Sequence, residues 1–122
     1  QDILALDGEI SNHLGPLGVT RAKAKTILAL AQTIANGEID FTFCPQPEAA
    51  IQKLMTIPGI GAWTAQYIAM RAIGWPDAFP HTDLGIKKAL APLTEREILQ
   101  KAEAWRPWRS YATINLWNAL KA

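Results

Sequence analysis

The apolar segment at residues 54–65 constrains the fold more than any other part of this chain. Its helical pattern must stop at Pro58, and the glycines Gly59 and Gly61 make a turn before a second helix begins at about Ala62. Because glycine has no side chain, the backbone N–H groups at the start of that helix are left bare. Bare amides at a helix N-terminus favour an anion, and in a nucleic acid the anion is phosphate. The sequence therefore predicts two helices joined by an anion-binding turn.

Composition limits the classes of protein to which the chain can belong. Its 122 residues suffice for one domain, and no apolar run approaches the roughly 20 residues that span a membrane. The acidic start does not resemble a secretory signal. Cys44 is the only cysteine, which excludes an internal disulfide and indicates a reducing cytoplasm. The net charge of +1 is low for a protein that holds DNA by side-chain cations, so backbone amides or further segments must contribute.

Helical periodicity throughout the chain predicts an all-α fold, a multi-helix orthogonal bundle. The expected helices run from Asp2 to Leu14, Thr20 to Asn36, Pro47 to about Thr56, Ala62 to Ile73, Thr82 or Asp83 to before Pro92, Thr94 to about Trp105, and Pro107 to Leu120. Thr94 and Glu97 have the spacing of a capping box. Apolar residues nearly encircle the last helix, which is typical of a buried helix or one that lines a pocket.

Three segments carry a resemblance to a known family. They are Leu-Met-Thr-Ile-Pro-Gly-Ile-Gly-Ala-Trp-Thr-Ala at 54–65, Asp-Ala-Phe-Pro-His-Thr-Asp-Leu-Gly-Ile-Lys-Lys at 77–88, and Trp-Arg-Pro-Trp-Arg-Ser-Tyr-Ala at 105–112. They resemble the helix–hairpin–helix DNA glycosylases, and most of all the bacterial AlkA (3-methyladenine DNA glycosylase II) type. The resemblance is specific across residues 54–117 and looser over 1–40. It identifies residues 1–122 as part of a single helical glycosylase domain, with the helix–hairpin–helix at about 48–74.

The resemblance implies base-excision repair in the bacterial cytoplasm, in association with the nucleoid. Such an enzyme flips an alkylated purine, such as 3-methyladenine, out of double-stranded DNA and hydrolyses its N-glycosidic bond. Fuller members have a preceding helical segment that inserts a wedge into the DNA, and the AlkA type adds a mixed α/β domain. Since the chain begins at Gln1 and shows neither part, we expect a C-terminal fragment that is inactive or weakly active by itself.

Asp83 has both a structural and a catalytic interpretation. Most aspartates at a helix start only cap the first turn. Asp83 also matches the family's catalytic aspartate, and the two roles are compatible because helix amides favour the ionised carboxylate. An ionised carboxylate beneath a deoxyribose stabilises the cationic, oxocarbenium-like transition state. A base made cationic by alkylation leaves without a general acid, so His81 has no part in this mechanism.

The other site residues that the resemblance implies form three groups. Aromatic rings for a cationic base come from Trp63, Tyr67 and Trp117, although tryptophans at helical spacing more often belong to the core, where we place Trp105 and Trp108. The contacts to DNA phosphate come from Gly59, Gly61 and Thr64. Lys87 is expected to be a further phosphate contact because it follows Asp83 on the same predicted helix, not because of the resemblance. A monovalent cation at the hairpin is implied at the main-chain carbonyls of Met55, Ile57 and Ile60. The remaining cations, Arg71, Lys88, Arg106 and Arg109, are expected to be a mixture of solvated surface and phosphate contacts.

Position 63 indicates the type of reaction. Strand-cutting relatives place a lysine there, and Trp63 cannot form a Schiff base, so a monofunctional hydrolase is expected. A single cysteine also lacks the ligand set for an iron–sulfur cluster, and no cofactor is required. Leu84 and Asn118 depart from the aromatic residues of the best-known members, which alters the expected pocket. Two alternatives stay open: a non-catalytic helix–hairpin–helix module that binds the DNA backbone, and a regulatory or scaffolding helical domain.

Overall fold

The computed structural model describes residues 2–121, and within them every regular element is a helix. The α-helices are α1 (Ile10–Leu14), α2 (Arg21–Ala35), α3 (Pro47–Met55), α4 (Ala62–Ile68), α5 (Leu84–Ala89), α6 (Glu95–Ala102) and α7 (Arg109–Ala119). Short 3-10 turns follow α1 and α6 at Gly15–Leu17 and Glu103–Trp105, and α4 continues as a wider π turn over Ala69–Ile73. The prediction of an all-α fold is confirmed. None of the helices within residues 2–121 has both the length and the apolarity that a membrane crossing requires.

The chain divides into two compact units, Gln1–Ile60 and Gly61–Ala122. In the first unit, Leu54 on α3 and Ala24 on α2 are fully buried, and Ile57 and Ile60 in the turn after α3 are nearly so. Helix α2 begins at its predicted cap, where Thr20 Oγ1 accepts a hydrogen bond from the backbone N–H of Lys23 at 3.2 Å. The organisation of the whole chain as one domain stays a prediction.

The core of the second unit joins α5, α6 and the loop before α5. Phe79, Ile86, Ile98 and Ala102 form a buried cluster against which Trp105 and its apolar neighbours pack. The Trp105 ring meets Phe79 edge-on, with 6.2 Å between ring centroids. Trp105 therefore belongs to the core, as predicted. The capping box of Thr94 and Glu97 is also confirmed at the start of α6.

Two predictions about the ends of the chain are wrong. The first helix covers only Ile10–Leu14, because Gly8 has a left-handed backbone (φ 80°) that a continuous helix does not allow. The last helix begins at Arg109 rather than Pro107, and Trp108 precedes it as the N-cap. Trp108 is 57% exposed and contacts the equally exposed Tyr111, so it does not belong to the core.

Candidate active site

Asp83 lies at the N-cap of α5, in extended backbone that directs its side chain back over the first turn. Its Oδ2 accepts a hydrogen bond from the backbone N–H of Ile86 at 3.0 Å. This bond satisfies one of the amides that a helix N-terminus leaves without an intrahelical acceptor. The capping interpretation of Asp83 is therefore correct, and it leaves the rest of the carboxylate for other contacts.

Two tryptophans from other helices donate to the same carboxylate. Trp63 on α4 donates its indole N–H to Oδ1 at 2.8 Å, and Trp117 on α7 donates its indole N–H to Oδ2 at 2.7 Å. Of these three hydrogen bonds, Oδ2 accepts two and Oδ1 accepts one. No lysine or arginine within residues 2–121 forms an ion pair with Asp83.

These neutral donors determine the charge state of Asp83. Burial raises the pKa of its carboxyl, and the hydrogen bonds from Trp117, Ile86, Trp63 and the Gly85 amide lower it by more, so the net pKa lies below the ordinary aspartate value. The group is consequently ionised at neutral pH, with a full negative charge and no cation beside it.

A surface cleft of about 340 Å³ opens next to this carboxylate. Its lining residues are Trp63, Thr82, Asp83 and Leu84. Leu84 is 72% exposed. It is an aliphatic residue at a position where the resemblance led us to expect an aromatic one. Asp83 thus combines capping with access to a cleft, which favours a chemical role over capping alone.

The three aromatic residues predicted for the base pocket lie together, but they have different surroundings. Tyr67 stacks on Trp63 at 4.9 Å between centroids with planes 10° apart, and its ring lies 6.3 Å from that of Trp117. The Arg71 guanidinium lies 5.7 Å from the Tyr67 ring centroid. Of the three rings, only Trp63 lines the cleft. Tyr67 stacks on Trp63, and Trp117 donates a hydrogen bond to the Asp83 carboxylate. The role of the three rings in a base pocket stays a prediction, and sequence reasoning missed that two of them donate to Asp83.

Gly85 is necessary for the close approach of Trp117 to Asp83. A Cβ atom at Gly85 would lie 2.9 Å from Asp83 Oδ2 and 3.0 Å and 3.1 Å from Trp117 Cδ1 and Nε1. Both distances to Trp117 are shorter than ordinary van der Waals contact, so any larger residue would have to displace the indole ring. Sequence reasoning had not assigned a role to Gly85.

The turn that follows α3 depends on a threonine of α2. Gly59 has a left-handed backbone (φ +95°), and a Cβ there would overlap with Thr26 Oγ1. That hydroxyl lies 2.8 Å from the Pro58 carbonyl oxygen and 3.1 Å from that of Ala22, to which it donates. Gly59 is therefore required by the fold itself, and Thr26 stabilises the turn. No pattern in the sequence pointed to Thr26.

The other predicted phosphate contacts are accessible. Gly61 is the exposed N-cap of α4; no side chain caps that helix, and a Cβ at Gly61 would meet nothing within 4 Å. Thr64 in the first turn of α4 is half-buried, and Lys87 on α5 is exposed. The roles of these residues in binding phosphate stay predictions.

The carbonyl groups of the predicted cation site differ in their hydrogen bonding, and the site itself stays a prediction. The Ile57 oxygen accepts from the Ile60 N–H at 3.1 Å, whereas no donor within residues 2–121 meets the oxygens of Met55 and Ile60. Two of the three oxygens are thus free for a cation, which is compatible with the site. No cluster of His, Cys, Asp and Glu side chains in the described part of the chain could hold a metal ion.

Arg109 does not lie on the surface, contrary to the expectation for the basic residues. It is 7% exposed, and its Nε donates to Asp77 Oδ1 at 2.9 Å. Arg106 donates to the other oxygen of Asp77 at 2.7 Å and also pairs with Glu103. The buried partner lies 32 residues away in the sequence, so the pattern around Arg109 alone could not reveal it.

Comparison with curated proteins confirms the resemblance seen in the sequence. The chain is 41% identical over 111 residues to a "probable bifunctional transcriptional activator/DNA repair enzyme AlkA" of Mycobacterium tuberculosis, covering 88% of this chain and 22% of that protein. It is 38% identical over 104 residues to DNA-3-methyladenine glycosylase 2 of Escherichia coli (85% and 37%) and 34% identical over 116 residues to DNA-3-methyladenine glycosylase of Bacillus subtilis (88% and 38%). The chain therefore spans 22–38% of the length of these relatives. No family model matches it.

Proposed function

We propose that this chain, which is homologous to the C-terminal part of the AlkA-type DNA-3-methyladenine glycosylases, supplies the catalytic carboxylate of a monofunctional DNA glycosylase. The substrate in this proposal is an alkylated purine, such as 3-methyladenine, flipped out of double-stranded DNA. One observation supports it above all others: the Asp83 carboxylate is ionised, lines a surface cleft, and within residues 2–121 accepts hydrogen bonds from neutral donors only.

The charge of Asp83 suits a reaction whose transition state is cationic. As the glycosidic bond breaks, positive charge develops on the deoxyribose, and a fixed carboxylate stabilises that charge. A lysine or arginine beside Asp83 would neutralise this effect, and none pairs with it in the described residues. The ionised carboxylate has a second function in this proposal, since it can accept a proton from the water that attacks the sugar. Water is the nucleophile because Trp63 has no amine for a Schiff base.

Trp63 supports a preference for alkylated bases. Its ring is 37% exposed at the cleft and is stacked on Tyr67, so one aromatic surface is available to a base. A cationic purine is attracted to an indole ring more than its neutral parent, by about 0.5–2 kcal/mol. The opposing wall at Leu84 is aliphatic and adds dispersion without charge selectivity.

The uncapped start of α4 is the proposed contact to a DNA phosphate. Its first-turn amides, next to Gly61 and Thr64, have no side-chain acceptor, and an incoming phosphate would supply one. Lys87 adds an exposed cation on α5. The first unit has a predicted phosphate contact of its own at the Gly59 amide. A monovalent cation on the carbonyls of Met55, Ile57 and Ile60 would add positive charge within that unit.

The decisive experiment measures base release from methylated duplex DNA by the full polypeptide that the gene encodes. Asp83→Asn removes the charge and forces an amide N–H₂ against indole or backbone donors, so release should fall by roughly 10²–10³-fold. Asp40→Asn is the matched control, because Asp40 also caps local backbone, at Thr42 and Phe43, but lines no part of the Asp83 cleft. Equal release by wild type and Asp83→Asn would remove Asp83 from the mechanism.

Absence of release from the wild type would instead favour the alternative, a non-catalytic helix–hairpin–helix module that binds the DNA backbone.

Phosphate binding is tested separately with Gly61→Val. The side chain at position 61 has open space around it, so it obstructs a ligand without disturbing the fold. We expect roughly tenfold weaker binding to duplex DNA, since a charge-assisted hydrogen bond contributes about 1.5–3 kcal/mol. Anisotropy titrations at fixed salt would measure it, with Gly15→Val as the control because position 15 is equally open. Gly59→Val is unsuitable, since it would disrupt the turn through Thr26.

A further inference from the structure

A second group of polar contacts lies at the start of α7, about two helical turns before Trp117. Asp77 is 6% exposed, and its Oδ1 accepts from Arg109 Nε at 2.9 Å and from the Arg109 backbone N–H at 3.4 Å. The guanidinium of Arg109 also lies 5.6 Å from the ring centroid of Phe79. The direction of the Arg109 side chain is therefore fixed on two sides.

Ser110 ties the same loop to α7 through the backbone. Its N–H donates to the Pro76 carbonyl at 2.8 Å. Its hydroxyl lies 2.8 Å from the Trp75 carbonyl oxygen and 2.9 Å from that of Ala78. Residues 75–78 are thus anchored on the first turn of α7, and the chain reaches Asp83 five residues later.

We propose that Asp77, Arg109 and Ser110 form a clamp that positions Asp83 against Trp117. The clamp attaches residues 75–78 to the first turn of α7, and the Asp83–Trp117 hydrogen bond attaches the end of the same loop to α7 about two turns later. The spacing along α7 therefore fixes where the Asp83 carboxylate lies, and these three residues act on the reaction through Asp83 without touching a substrate. Their catalytic consequence rests on the function proposed above.

The chemistry of the clamp favours positioning over stability alone. A buried ion pair usually adds little net stability compared with apolar residues of the same volume, because both charges lose their hydration. What it adds is direction: the planar guanidinium and the carboxylate fit in a limited set of orientations. Asp83 needs such accuracy, since a displacement of about 1 Å at a reacting group can lower a rate by about a hundredfold.

The test follows the indole N–H resonance of Trp117 by ¹⁵N NMR, which requires no catalysis. The hydrogen bonds to the Asp83 carboxylate within residues 2–121 come from neutral groups, namely the indoles of Trp63 and Trp117 and the backbone amides of Ile86 and Gly85. The Trp117 signal therefore reports both the hydrogen bond and the titration of Asp83. In Asp77→Asn we expect this signal to move upfield and its titration midpoint to rise.

Glu103→Gln is the matched control. It removes an exposed carboxylate from Arg106 but leaves the contacts of Asp77 with Arg109 intact, so the Trp117 signal should not change. If Asp77→Asn does not fold, Ser110→Ala replaces it, since it removes the hydroxyl contacts to Trp75 and Ala78 and leaves the ion pair. A folded Asp77→Asn or Ser110→Ala protein with a wild-type Trp117 signal and midpoint would overturn the clamp.

Base release provides the second readout. The clamp predicts that kcat falls about tenfold or more in Asp77→Asn and that the acid limb of the pH profile moves to higher pH, whereas partial unfolding would lower the amplitude without moving the limb. Failure of the wild type to release bases would contradict the proposed function alone, because the Trp117 resonance decides the clamp independently.

Discussion

Asp77 and Asp83 lie six positions apart, and the structure treats their charges in opposite ways. Asp77 is buried, and two guanidinium groups surround it. Asp83 is open to a cleft, and its donors are two indoles and the backbone amides of its own helix. Cations satisfy the first charge within the protein. Neutral donors keep the Asp83 carboxylate ionised. Its negative charge is therefore not neutralised and can act on a ligand in the cleft. The comparison teaches that the partner of a carboxylate, more than its burial, separates a structural role from a chemical one.

The largest expected effect is on stability. Asp77 should matter more than Asp83 for the free energy of unfolding, whereas Asp83 should matter more for base release. Asp77→Asn leaves Arg109 buried without its counter-charge, which should lower the free energy of unfolding by about 3–5 kcal/mol. Asp83→Asn retains a good capping residue and should cost only about 1–2 kcal/mol. Urea denaturation followed by circular dichroism measures both. Similar losses of unfolding free energy in the two variants would contradict the difference between the two carboxylates.

The next effect concerns the donors to Asp83. Trp117→Phe removes the strongest of the hydrogen bonds that lower the pKa of Asp83, so that pKa should rise. The proposed reaction requires the ionised carboxylate, so the acid limb of the pH–rate profile should move to higher pH. Trp63→Phe should move it less, because its hydrogen bond lowers the pKa less. A profile unchanged in Trp117→Phe would show that the indole does not control the charge.

The smallest effect comes from added bulk next to the carboxylate. Gly85→Ala keeps every polar group but places a methyl group about 3 Å from the Trp117 ring and Asp83 Oδ2. The indole has to shift, which should lower base release several-fold and raise the pKa of Asp83 slightly. Helix propensity favours alanine over glycine by about 1 kcal/mol, so a gain in thermal stability with a loss of activity would separate packing from chemistry. Unchanged activity would show that the Trp117 contact tolerates movement.

Local signals predicted the helices well where a cap was encoded nearby. Thr20, Thr94 and Asp83 each start a helix as expected, because a capping bond joins residues only three apart. The prediction for residues 2–14 was wrong because the apolar spacing continued through Gly8, where the backbone turns left-handed. The motif around Asp83 identified the candidate site, but its indole donors lie 20 and 34 residues away.

Contacts of that length cannot be derived from spacing. The same limit explains Arg109, which the pattern of basic residues placed among surface cations and which the fold buries against Asp77. It also explains Trp108, whose hydrophobicity suggested the core although it precedes the helix and faces solvent. Composition and periodicity indicate whether a side chain tends to be buried or exposed. Its contact partner depends on how segments distant in the sequence pack together.

The donors to Asp83 belong to three different helices: Trp63 to α4, the Ile86 and Gly85 amides to α5, and Trp117 to α7. Rotation of the Asp83 side chain toward an approaching sugar would break these bonds together. These bonds oppose movement of the carboxylate, so in the proposed reaction the nucleotide would make the approach. In such an arrangement, lesions that loosen their own stacking or pairing shorten the path, and the mechanics of the damaged duplex become part of substrate selection.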